Sequence, residues 1–128
     1  MSYQTAAAHL TAANTSRDGS GANLVKVFEA YEPCYVDRVI FQSLGSNAAT
    51  VARVFLSSLK TEEGRTLNRE VTLPSTSATE VAGLAAVSLS LGLYLATGQR
   101  LYCTVGTAQS AGTDVCAVVG RSHSDFNV

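Results

Sequence analysis

Hydrophobic residues recur at every second position through residues 87–105, VSLSLGLYLATGQRLYCTV. Val87, Leu89, Leu91, Leu93 and Leu95 alternate with Ser88, Ser90, Gly92 and Tyr94. A period of two places one set of side chains on a core face and the other on the opposite face of a strand. The alternation breaks at Ala96, Thr97 and Gly98 and resumes with Leu101, Cys103 and Val105. Two strands joined by a short Gly-containing turn are predicted, in the form of a hairpin.

Weaker versions of this pattern fill the rest of the chain. Residues 23–30 carry Leu24, Val25, Val27 and Phe28, and Tyr31, Glu32 and Pro33 end that segment. Residues 34–44 form a second strand, in which the alternation slips near Arg38 and so marks a bulge or a strand buried on both faces. Residues 50–59 follow, with Arg53 expected on the solvent side. KTEEGR at 60–65 concentrates charge around a glycine, as an exposed hairpin loop does. Strands are predicted over 67–73 and 113–120, with a further short one over 79–86. The turn signals fall every eight to twelve residues and no segment has a sustained helical face. Seven or eight short strands of this kind indicate an all-β chain, a single antiparallel β-sandwich of jelly-roll type. Residues 1–21 read as an extended N-terminal arm, 22–120 as the sandwich and 121–128 as a C-terminal tail.

Composition narrows the class. The chain has 128 residues, enough for one domain with one core. Its hydrophobic 46% comes mainly from Ala, Val and Leu, with no Trp, so the core is expected to be thin and built of small side chains. Nine basic and ten acidic residues give a net charge of −1 without a run of either sign. A backbone-tracking nucleic-acid binder needs a basic stripe, and none is present. Charged residues make up only 15% of the chain, which suggests a surface partly covered by neighbours. Residues 81–99 carry no charge, but strict alternation with Ser and Gly disagrees with a membrane-spanning helix. Cys34, Cys103 and Cys116 have no metal-like spacing and read as small buried hydrophobes of a reduced intracellular protein. No signal peptide is evident at Met1, so the sequon at Asn14 is expected to be fortuitous.

Candidate chemistry is sparse. His9 and His123 stand alone in the terminal segments, and the run Ser122, His123, Ser124, Asp125 cannot be aimed at one substrate atom. Asp37 with Arg38, and Glu62 with Glu63, read as solvated clusters. No catalytic, metal or cofactor site is expected, and the chain reads as a non-enzyme. Tyr3, Tyr31, Tyr94 and Phe126 lie outside the strand cores, where tyrosine gives a partner both contact area and a polar handle. The interface candidates are Tyr3, His9 and Arg17 in the arm, Tyr31, Ser88, Ser90 and Tyr94 in the body, and Phe126 in the tail.

The entry TAANTSRDGSGANLVKVFEA at 11–30 resembles a group of small tailed-bacteriophage virion proteins, as do VDRVIFQSLGSN at 36–47, VARVFL at 51–56, EVTLPSTSAT at 70–79 and LYLATGQRLYCTVGTA at 93–108. Relatives tend to carry a Leu-Pro-Ala-Gly turn followed by Leu, whereas Ala96, Thr97 and Gly98 stand here without the proline. The resemblance implies a β-sandwich virion component made in the host cytoplasm. On it rests the expectation of a capsid decoration, or cement, protein, a homotrimer that binds the major capsid protein and copies of itself. Neither nucleic acid nor a membrane is an expected partner. The alternative is a receptor- or carbohydrate-binding module of a tail or fibre, with Tyr31 and Tyr94 stacking on glycan.

Overall fold

Eight strands form in the computed structural model, which describes residues 3–57 and 65–121. They are β1 (Tyr3–Leu10), β2 (Val25–Glu29), β3 (Cys34–Ser43), β4 (Thr50–Leu56), β5 (Thr66–Leu73), β6 (Val87–Leu95), β7 (Arg100–Val105) and β8 (Thr113–Arg121). There is no helix among the described residues. Pairing is nested and antiparallel: β1 with β8, β2 with β7, β3 with β6 and β4 with β5. Two further antiparallel ladders, β3 with β8 and β4 with β7, complete the sheets. Sheet A has the order β1-β8-β3-β6 and sheet B the order β2-β7-β4-β5. Such an arrangement is a long two-stranded ribbon rolled onto itself, which is the jelly roll. The expected sandwich and strand number are thus present.

The roll corrects the reading of residues 87–105. β6 lies in sheet A and β7 in sheet B, so the turn between them crosses the sandwich and does not close a hairpin. Alternation fixes which side chains point inward but does not choose the neighbouring strand, and both strands turn their apolar set to the same interior. The crossing is held locally. Gly98, at φ +93°, donates its N–H to the Ala30 carbonyl at 2.6 Å, and the Gln99 side-chain oxygen accepts from the Ala96 N–H at 2.7 Å. Every connection except β4 to β5 changes sheets in this way.

Three other expectations meet a different structure. Residues 79–86 form no strand and belong to the long β5–β6 connection. Within the expected arm, Tyr3–Leu10 is extended but lies in sheet A, paired along its whole length with β8. Arg53 does point away from the core, yet it is only 5% exposed. The slip near Arg38 has its counterpart in the register, which shifts between Val36 and Arg38 in both β3 ladders. Opposite it on β6, Gly92 takes φ +61°, a left-handed conformation that glycine adopts without a Cβ clash. The KTEEGR segment lies mostly outside the described residues, as do Glu62, Glu63, His123 and the tail beyond Arg121.

The core lies between the sheets. Sheet A contributes Val36, Val39, Phe41, Leu91, Val115 and Ala117, and sheet B contributes Val54, Leu101, Cys103 and Val105, all at most 4% exposed. Full burial of each Val or Leu stabilises by about 1.5–3 kcal/mol. Phe41 is the one aromatic among the fully buried members of the cluster, in keeping with a thin core of small residues. Cys34 and Cys103 are buried free thiols whose pKa values burial pushes up, so both are poor nucleophiles.

One end of the sandwich is knitted by polar side chains. Asn47, in the β3–β4 loop, donates to the Gly112 carbonyl at 2.8 Å and accepts from the Ala111 N–H at 2.8 Å. It also exchanges bonds with Thr76 of the β5–β6 connection: its N–H donates to Thr76 Oγ1 and its carbonyl accepts from the Thr76 N–H. Gln109, buried in the β7–β8 loop, donates its side-chain amide to the Ala48 carbonyl and its N–H to the Thr11 carbonyl. Four loops are thereby fixed to one another.

Candidate functional site: the outer face of sheet A

The register of sheet A builds its outer face row by row. One row runs Ala7, Cys116, Ile40, Ser88, and the next runs Thr5, Val118, Arg38, Ser90. A third holds Tyr3, Gly120, Tyr35 and Tyr94. At the centre, Cys116, Val118 and Ile40 are only half-buried, while Ala7, Thr5, Ser88 and Ser90 are exposed along the margins. The middle of the face is therefore apolar at three partly buried positions and carries one exposed charged residue, Arg38.

The charged groups on this face have near partners. His9 Nδ1 lies 2.8 Å from Asp114 Oδ1 across the β1–β8 ladder. Arg38 Nη1 donates to Asp37 Oδ2 at 2.8 Å. Both pairs are partly exposed, and such pairs contribute little to stability. Tyr94 is 71% exposed and packs its ring against Tyr35 with centroids 5.0 Å apart and planes tilted by 55°. Tyr31, 82% exposed, occupies the β2–β3 turn at the same end of the sandwich, beside the Ala30–Gly98 hydrogen bond.

The interface candidates thus divide. Ser88, Ser90 and Tyr94 lie along β6 at one edge of the face, and Tyr3 and His9 lie along β1 at the other. Arg17 is elsewhere, on the side of sheet B, where its Nε lies 3.1 Å from Glu70 Oε2. Arg53 Nε approaches the same oxygen at 2.9 Å, so two guanidinium groups bracket one carboxylate. The Arg17 and Arg53 hydrogen bonds hold the Glu70 pKa below the usual carboxylate range. Phe126 lies outside the described residues.

Val118, Ile40 and Tyr35, in the middle of the face, were not singled out by sequence reasoning, and Cys116, expected to be a buried hydrophobe like Cys34 and Cys103, is only partly buried because its strand position turns it to the outer face. Their signal is the absence of alternation: β8 reads DVCAVV and β3 reads VIF, runs that are apolar on both faces. Elsewhere, a cleft of about 410 Å³ opens on sheet B beside Arg53, with Thr15, Thr50, Thr72 and Thr107 on its walls. Its charged wall group is already engaged by Glu70 and by the Asn14 carbonyl. No three His, Cys, Asp or Glu side chains converge as metal ligands among the described residues.

No protein-family model matches the chain, and no curated protein matches it at the significance required. Among solved structures it is similar to a chain of the T13 IBDV viral particle, with a TM-score of 0.41 and 14% identity, over 94% of this chain and 31% of that one. Chains of infectious bursal disease virus strains Gt and Gx give TM-scores of 0.34 and 0.33 at 13% identity, over 94% of this chain and 34% and 33% of theirs. The present chain thus spans about a third of the length of each. Likeness of this degree bears on neither function nor partner.

Proposed function

We propose that the chain is a structural subunit of a virus particle, a decoration protein that stabilises a capsid by binding its outside. The observation that carries this reading is the outer face of sheet A. A four-stranded surface with apolar Cys116, Val118 and Ile40 at its centre, and with Arg38 paired to Asp37 and Asp114 hydrogen-bonded to His9, suits burial, because its few charged groups keep polar partners when water is removed. The resemblance of the strand and turn segments to small tailed-phage virion proteins supports the same assignment. The jelly roll alone does not, since this fold serves capsid, lectin and cupin chemistry alike.

A second reading rests on the Tyr35–Tyr94 pair. An exposed tyrosine ring backed by another, with Tyr31 at the same end, is a stacking platform for a sugar and fits a glycan-binding module of a tail or fibre.

Quantitative mass spectrometry of purified particles separates the two. A decoration protein is present in a copy number comparable with that of the major capsid protein, and the isolated chain attaches saturably to undecorated capsids. Absence from the particle, or a handful of copies together with binding on a glycan array, contradicts the decoration reading.

A further inference from the structure

The two sheets treat their edges differently. Sheet B ends in β2, which carries Lys26 and Glu29, and in β5, which carries Arg69 and Glu70. Charged residues on an edge strand oppose its pairing with another chain. Sheet A ends in β1, YQTAAAHL, and in β6, VSLSLGLYL. Neither has a lysine, an arginine, a carboxylate or a proline, and the one titratable side chain of the histidine type, His9, is turned to Asp114 within the sheet. The edges are also matched in length, at eight and nine residues. Among the described residues no strand pairs with the outer side of either.

Direction completes the match. Three successive antiparallel ladders lead from β1 to β6, so these two edges of one sheet run in opposite senses. A second copy set beside the first in the same orientation therefore brings its β1 antiparallel to the first copy's β6, the more stable mode of pairing. Two-fold pairing of β6 with β6 leaves both β1 edges bare. Head-to-tail pairing satisfies both edges with a single kind of contact, and such contacts close into rings when the rotation permits.

We propose that sheet A continues from copy to copy, β6 of each chain pairing with β1 of the next, and that this main-chain ladder is the self-association contact of the protein. The inference deepens the proposed function by naming the partner of the β6 edge. On the outer face both edges carry small side chains, Thr5 and Ala7 on β1 and Ser88 and Ser90 on β6, so that the backbones can approach. Continuing the row Thr5, Val118, Arg38, Ser90 without a shift sets Ser90 beside Thr5 of the next copy.

Sedimentation equilibrium of the full chain at about 100 µM tests this. Wild type is expected to be oligomeric. Ser90→Lys and Thr5→Lys, both at exposed positions and both checked for native circular dichroism, are each expected to weaken association at least ~10-fold. The double variant Ser90→Lys with Thr5→Glu is expected to regain it, because the opposite charges then face each other between copies. A monomeric wild type overturns the proposal. So does an oligomer indifferent to the β1 substitution, which points to β6–β6 pairing, or a double variant that is not restored. A monomer that still saturates capsids overturns this contact and leaves the decoration role standing, whereas a β6–β1 oligomer that ignores capsids does the reverse.

Discussion

Asn47 shows how much of the assembly of loops depends on one side chain. It is 5% exposed, and its amide and backbone together hold Gly112, Ala111 and Thr76 from two other loops. Removing it breaks two hydrogen bonds, but the Gly112 carbonyl keeps the Leu44 N–H as a donor, so each loss weighs about 0.5–1.5 kcal/mol. Asn47→Ala is therefore expected to lower stability by about 1–3 kcal/mol, read from the denaturant midpoint. A change below about 0.5 kcal/mol shows that water replaces the side chain and that the loops are held otherwise. Nothing in the sequence distinguishes Asn47 from the other residues of the turn GSN, because its partners lie 29 to 66 positions away. Asn14 is a similar case. Its sequon was read as fortuitous, and in the fold its side chain is spent on the Ser20 and Ala22 carbonyls and on the Ser16 N–H.

At the scale of elements, the loop over residues 11–24 is a device with a pH limit. Asp18 accepts hydrogen bonds from the Ser16 hydroxyl, the Ser20 hydroxyl and the Ser20 N–H, and these hold its carboxyl down at about 2, against an ordinary 3.8. Glu70, which ties Arg17 of the same loop to sheet B, is lowered as well, first by Arg17 and then by Arg53. A carboxylate whose folded pKa is depressed contributes stability that is complete above its unfolded value and is lost as pH falls through the folded one. Amide protection in residues 14–22, taken relative to the intrinsic exchange rate at each pH, is thus expected to be high at about pH 5 and to fall as pH drops from about 4 towards 2. Asp18→Asn is expected to be less protected at about pH 5 and to show a shallower acid dependence of protection. Constant protection of the wild-type loop across that range shows that Asp18 does not hold it. The elements themselves were legible to different degrees. Strand periods located β2 to β8 to within a few residues, and the slip at Arg38, read as a bulge or as a strand buried on both faces, is a register shift. The partners of β6 and β7 were not legible, since an arch across the sandwich and a hairpin share one alternation pattern.

For the whole molecule, the nesting of the strands decides which residues share a surface. β1 and β6 are more than seventy residues apart in sequence, yet they bound one face because β8 and β3 lie between them. Ser88, Ser90 and Tyr94 stood out in the sequence as an uncharged outward face, and Tyr3 and His9 stood out separately as parts of an arm. Their joining into one surface required the roll, as did the recognition of Cys116, Val118 and Ile40 at its centre. Those three sit in apolar runs that look like core from the sequence, yet in the fold they are only partly buried. Their incomplete burial is the physical reason to assign the face a partner.

Cys116 makes the assignment directly measurable, because it is a free thiol in the middle of the face, whereas Cys34 and Cys103 are buried. The decisive measurement is its alkylation rate with iodoacetamide in the free chain and in the chain attached to particles, with site-resolved mass spectrometry. Burial of the face against the capsid predicts at least ~10-fold slower labelling of Cys116 on the particle, with Cys34 and Cys103 unlabelled in both states. Equal labelling of Cys116 in the two states contradicts the account and returns the outer face of sheet A to solvent.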